Sequence, residues 1–282
     1  MHPACTWAAM DVFGCKEVKM TKSAVFGLKS VLSITGIMLA LSAGSAMAST
    51  VTTTSVSLPN GTTSVNISDS SQPIDGGGSS ITTGTIGLQT NIGSLSTYCV
   101  DLFNYISTGN NAYTFTPSTL SAGQSFTDAT NSNANATGTF TVAQVNTLTA
   151  LLTNGTLQTQ SIVNTAALQV AIWETEYGTA ASNGSYNLTS GSFDFSATSD
   201  SNSAATLTQA QAYLNDATGY LNGSAWVNAT WLTNSTHYVE LLTSTPAGTQ
   251  NLIYLATPEP STIALFGVGA IGLLAARRRK LI

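Results

Sequence analysis

Between positions 49 and 257 the chain contains no lysine and no arginine. Its eight basic residues lie at the two ends: Lys16, Lys19, Lys22 and Lys29 before the first apolar run, and Arg277, Arg278, Arg279 and Lys280 after the last. The span between them carries Asp69, Asp75, Asp101, Asp128, Glu174, Glu176, Asp194, Asp200, Asp216 and Glu240. Any fold formed there must dress its surface with uncharged polar side chains instead of salt bridges. A nucleic-acid groove needs cations to neutralise phosphate, so this body excludes nucleic acid as a partner. Anionic lipid is repelled for the same reason. The body is nevertheless no disordered chain: 43% of the sequence is hydrophobic, and Trp173, Trp226 and Trp231 give it material for a core.

The ends read as addresses. From Met20, Lys22 and Lys29 supply a cationic region, residues 31–43 are apolar, and Ala46-Met47-Ala48 places small residues at the −3 and −1 positions of a cleavage site. This is a Sec-type secretory signal, with cleavage by signal peptidase expected before Ser49 and translation expected to start at Met20. At the other end, Pro258-Glu259-Pro260 precedes an uncharged stretch over 263–276 and the Arg277–Lys280 basic cluster. That stretch is shorter than the ~20 residues of a comfortable membrane span. It can cross with help from Ser261 and Thr262 and a snorkelling Arg277. The basic cluster sets its end in the cytoplasm.

This order of motif, apolar helix and terminal arginines resembles the PEP-CTERM sorting signal of Gram-negative bacteria. The resemblance implies processing by an exosortase, a transient membrane anchor, and a destination at the cell surface or in an exopolysaccharide or biofilm matrix. It implies an address, and no activity.

Cys5 and Cys15 leave with the signal peptide, so the exported body keeps Cys99 alone. A single cysteine in an oxidising compartment has no internal disulfide partner and is worth attention. It can also be an inert buried thiol or an intermolecular bridge. Cys99 sits in a strand-like segment, Leu95-Ser96-Thr97-Tyr98-Cys99-Val100-Asp101-Leu102-Phe103. A second segment over 161–177 is helical, with Ile162, Ala166, Gln169 and Trp173 recurring at spacings of four, three and four. Gln169 therefore falls in the inward stripe, where its amide needs a hydrogen-bond partner, and backbone groups alone can supply it.

Tyr98-Cys99-Val100-Asp101 followed by Gln169-Val170-Ala171-Ile172-Trp173 resembles the two motifs of the Cys-Gln thioester domains of bacterial surface proteins. Leu168 departs from the threonine usual there. The resemblance implies a cross-link between Cys99 and Gln169. In such chemistry the thiolate attacks the side-chain carbonyl, ammonia leaves, and an activated acyl group remains for an outside nucleophile. Capture of this kind is stoichiometric, so no enzyme, catalytic residue or cofactor is expected. Without a lysine in the body, no internal side-chain amine can quench the bond.

Three rival readings stand beside it. Cys99 and His237 form a formal hydrolase dyad, although nothing around either resembles a protease signature. The body can be a passive structural or glycan-binding matrix protein whose Thr/Asn surface contacts polysaccharide. Threonine abundance also suggests a crystal-surface binder, without a regular repeat to support it. One cysteine and one histidine cannot build an ordinary zinc site, and no metal is expected.

The coarse organisation is an edge strand over 50–58, a turn-rich loop over 59–80, and strands within 81–115. Helices follow over 141–152, 161–177 and 206–221, then strands over 238–243 and 251–255. The stretch 196–204 reads as a mobile loop. The expected fold class is α+β, a single β-rich exported domain with two or three helices. The expected divisions are 1–48 for the leader, 49–257 for the body and 258–282 for the sorting signal.

Overall fold

The computed structural model describes residues 50–69, 80–102, 104–125, 138–155, 160–191, 193–224, 238–245 and 249–256. All belong to one compact unit, Ala46–Ile263. A second unit, Met1–Ser45 with Ala264–Ile282, lies outside the described residues. So do Ala46, Ala48, Pro258, Glu259, Pro260, Arg277, Arg278, Arg279, Lys280 and His237. Among the described residues no helix is long and apolar enough to cross a membrane.

The fold is α+β, with nine strands and three helices among the described residues. The strands are β1 (Val51–Ser57), β2 (Thr63–Asp69), β3 (Ser80–Thr83), β4 (Ile86–Thr90), β5 (Gly93–Cys99), β6 (Thr114–Thr119), β7 (Phe193–Ala197), β8 (Tyr238–Thr245) and β9 (Leu252–Ala256). The helices are α1 (Val142–Gly155), α2 (Ile162–Tyr177) and α3 (Ser203–Leu221). Six strands close a barrel in the order β1-β4-β5-β9-β8-β6, and β3-β2-β7 form a separate antiparallel sheet.

Several strands differ from the sequence reading. β1 is no edge strand: it pairs with β4 on one side and with β6 on the other, through Val51 opposite Phe115. Barrel closure leaves it no open side. The 59–80 stretch contains β2, where Thr63, Val65 and Ile67 are buried and alternate with Ser64, Asn66 and Ser68. β7 pairs with β2 along its whole length, so residues 196–197 are strand. The Thr198 and Asp200 side chains then tie the next turn to Ser64 and Asn202.

The helices start where local chemistry dictates. Thr141 and Gln144 form a capping box before α1: the Thr141 N–H donates to Gln144 Oε1 at 2.8 Å, and the Gln144 N–H donates to Thr141 Oγ1 at 3.2 Å. Ser161 caps α2 by accepting from the Asn164 N–H at 3.1 Å. Gln144 Nε2 also donates to the Thr175 and Glu176 carbonyls, joining the start of α1 to the end of α2. At Gly155 a Cβ would stand 2.7 Å from Leu168 Cδ1, so the missing side chain lets the two helices approach. Every residue of α2 from Thr165 to Glu176 is buried. The inward stripe read from the sequence therefore widens to the full circumference, as suits a helix at the centre of the core.

Candidate functional site

Cys99 is the last residue of β5, and the ladder explains why its main chain seeks a partner. The Val100 N–H donates to the Asn251 carbonyl at 3.1 Å, and Cys99 stands opposite Leu252 in the β5–β9 register. Hydrogen-bonded pairs alternate along an antiparallel ladder, so Cys99 belongs to a non-hydrogen-bonded pair. Its N–H and C=O point away from β9, towards the side where β4 lies. The β4–β5 pairing stops at Ile86 opposite Thr97, leaving that side unfilled at Cys99.

The Gln169 amide fills it. The Cys99 N–H donates to Gln169 Oε1 at 2.8 Å, and Gln169 Nε2 donates to the Cys99 carbonyl at 2.7 Å. A side-chain amide from α2 thus takes the place of the next strand residue. The partner that the sequence required for Gln169 is the backbone of Cys99. Both residues are buried, at 2% and 1% exposure. Cys99 is a free thiol whose Sγ–H donates to the Asp101 carbonyl at 3.1 Å.

The segment after Cys99 is fastened from several directions. Tyr177 Oη donates to the Val100 carbonyl at 3.1 Å and accepts from the Leu102 N–H at 3.3 Å. Gln250 Nε2 donates to the Asp101 carbonyl at 2.9 Å. The fully buried Asp101 accepts from Asn104 Nδ2 at 2.6 Å. Trp173 is 2% exposed, and among the described residues its indole N–H finds no ordinary acceptor. It lies beside the Cys99 sulfur, where it favours the thiolate slightly. A cleft of about 600 Å³ reaches Cys99, Gln169 and Trp173, walled by Ile81, Thr83 and the exposed Tyr105 among others.

Burial pushes the Cys99 thiol well above its usual range, and the neighbouring Asp101 carboxylate pushes it further. The thiol is therefore neutral at rest, unlike the low-pKa cysteines of redox enzymes. Any reactivity has to come from placement. The Cys99 N–H aimed at Gln169 Oε1 sits where negative charge develops when that carbonyl is attacked, the position of an oxyanion-hole donor. The same high thiol pKa makes sulfur a reluctant leaving group, which would give a thioester here a long life.

Sequence reasoning brought Cys99 and Gln169 together but passed over Tyr177, Gln250 and Asn104. Tyr177 and Glu176 were readable as members of the Gln169 helix, at whole-turn spacing from Trp173 and Gln169. Gln250 carried no local signal.

Residues 256–280 match the PEP-CTERM protein-sorting motif. A signal of this kind marks an exported protein handled by an exosortase and sorted to the cell surface. No curated protein matches the chain in sequence. Among solved structures it is similar to the N-terminal thioester domain of the fibronectin-binding protein SfbI from Streptococcus pyogenes, at 12% identity and a TM-score of 0.39, over 70% of this chain and 94% of that one. It is also similar to the N-terminal domain of the Streptococcus pyogenes pilus tip adhesin Cpa, at 15% identity and a TM-score of 0.36, over 71% and 99%. A third similar structure is the N-terminal thioester domain of a Clostridium perfringens surface protein, at 13% identity and a TM-score of 0.36, over 68% and 98%.

Proposed function

We propose that residues 49–257 form a covalent-capture domain in which Cys99 and Gln169 join as a thioester that an outside nucleophile opens. The observation that carries this reading is the two-point hydrogen bonding of the Gln169 amide to the Cys99 backbone. That arrangement holds the amide against the main chain of the residue that carries the sulfur and polarises its carbonyl. In the reaction the Sγ–Cδ bond forms, the Cδ–Nε2 bond breaks, and the thiol proton leaves with nitrogen as ammonia. The acyl group then passes once to a nucleophile on a surface or matrix polymer, so the protein acts stoichiometrically and not as an enzyme.

Export by the 1–48 leader and exosortase handling at 258–282 would deliver the domain to the outer face of the cell, after transient anchoring by the terminal apolar stretch. The test is intact mass spectrometry of the exported protein, purified without reductant, beside Cys99→Ala. The expected wild-type mass is one ammonia short of the sequence mass, and methylamine raises it by one methylamine; the variant shows neither effect. A full wild-type mass with an alkylatable Cys99 refutes the thioester and leaves a passive structural or glycan-binding matrix protein.

A further inference from the structure

Glu176 is a buried carboxyl group that the capture chemistry leaves without a task. It follows Gln169 by two helical turns and Trp173 by one, so the three share a face of α2. It is 4% exposed, and neither carboxyl oxygen has a hydrogen-bond partner among the described residues. Helical side chains lean towards the N-terminus, which carries the carboxyl back towards the Gln169 turn. The next residue, Tyr177, clasps the backbone of 100–102, so Glu176 is held beside Asp101.

The titratable groups that act on this cluster are Asp101, Cys99 and Tyr177. Helix α1, which packs against the end of α2, brings no ionisable side chain. The body has no lysine or arginine to serve as counter-ion. Among the described residues an ionised Glu176 would have neither a cation nor a donor, so the carboxyl keeps its proton. Burial and the Asp101 charge push it the same way. Packing does not account for such a residue, because unpartnered buried oxygens cost stability.

We propose that Glu176 is a positioning residue of the Cys99–Gln169 reaction, storing one proton and passing it through Asp101 between the sulfur and the departing group. The inference rests on the thioester reading. In bond formation the Glu176 proton reaches the departing Nε2 through Asp101 and the thiol proton returns to Glu176 by the same route, so ammonia leaves and the carboxyl ends unchanged. In opening, the proton of the incoming nucleophile reaches the relay, and the relay protonates sulfur as the Sγ–Cδ bond breaks. Sulfur then leaves as a neutral thiol, which a desolvated site favours.

The experiment uses the exported protein, first treated with ammonium to reverse the thioester to Cys99 and Gln169, then desalted. Re-formation is followed by the loss of one ammonia in intact mass, across neutral pH, for wild type, Glu176→Gln and Glu176→Asp. The wild-type rate should be level with pH, because the thiol proton moves internally. Glu176→Gln should be slower by roughly a hundred-fold, with a rate that rises with pH as hydroxide takes over deprotonation. Its folding stability should be equal or higher. Glu176→Asp retains a carboxyl and should recover much of the rate; if the Gln variant fails to fold, its comparison with wild type carries the test, an altered pH profile supporting the relay. A folded Glu176→Gln with the wild-type rate and profile overturns the role of Glu176 alone, as does a folded Glu176→Asp no faster than Glu176→Gln. Absence of the ammonia deficit in wild type overturns the thioester reading and this inference together.

Discussion

If Gln169 stands in for a missing strand, its removal should cost far more than the removal of the Cys99 sulfur. Cys99→Ala loses the Sγ–H bond to the Asp101 carbonyl but keeps both bonds to Gln169, because these use main-chain atoms. Its expected cost is about 1 kcal/mol. Adding Gln169→Leu to that variant preserves most of the side-chain volume. It leaves the N–H and C=O of residue 99 buried on the side where β4 has ended. Each stranded group costs about 1–3 kcal/mol, so the double variant should lie about 2–6 kcal/mol below Cys99→Ala. Working in the Cys99→Ala background removes any cross-link from the comparison. Urea unfolding of the two proteins, read by circular dichroism, measures the difference. A gap below about 1 kcal/mol would refute the idea that the amide completes the ladder.

Two further outcomes follow from the same neighbourhood. Glu174 is 1% exposed, and burial together with the Asp194 carboxylate raises its pKa from 4.5 to about 8. The fold binds that proton more tightly than the unfolded chain, so its stabilisation is full below the unfolded value and is lost as pH rises through about 8. Unfolding midpoints should therefore fall between about pH 5 and pH 9, and Glu174→Gln should flatten the decline; an equal decline in the variant refutes the assignment. Tyr177→Phe deletes the hydroxyl shared by the Val100 carbonyl and the Leu102 N–H. It should cost about 1–3 kcal/mol and slow ammonia loss. An unchanged rate in a destabilised protein would show that fastening 100–102 does not align the sulfur.

Much of the site was legible because its two halves are local patterns. Gln169 and Trp173 announce a helix by spacing alone, and Tyr98-Cys99-Val100 reads as strand. The strands β2 and β7 were harder to see, because short polar residues fill their alternating positions and the apolar markers of the buried face are only Val65, Ile67, Phe193 and Phe195. In a chain this rich in hydroxyl side chains, buried threonines such as Thr63 and Thr97 look the same in sequence as exposed ones. The barrel could not be read at all: β5 closes against β9, and β1 against β6, pairings that no local periodicity encodes.

What the sequence by itself determined is the charge boundary of the body, the helix starts at Thr141 and Ser161, the face that carries Gln169, and the sorting motif at the C-terminus. These depend on composition, caps and a 3.6-residue period, which act over a few residues. The tertiary structure alone decided that the β4 pairing stops two residues short of Cys99 and that a glutamine on α2 fills the gap. It also decided that Glu176 is buried without a counter-ion among the described residues. Each of these depends on which distant segments exclude water from one another, and burial of that kind is settled only when the barrel and the helices close together.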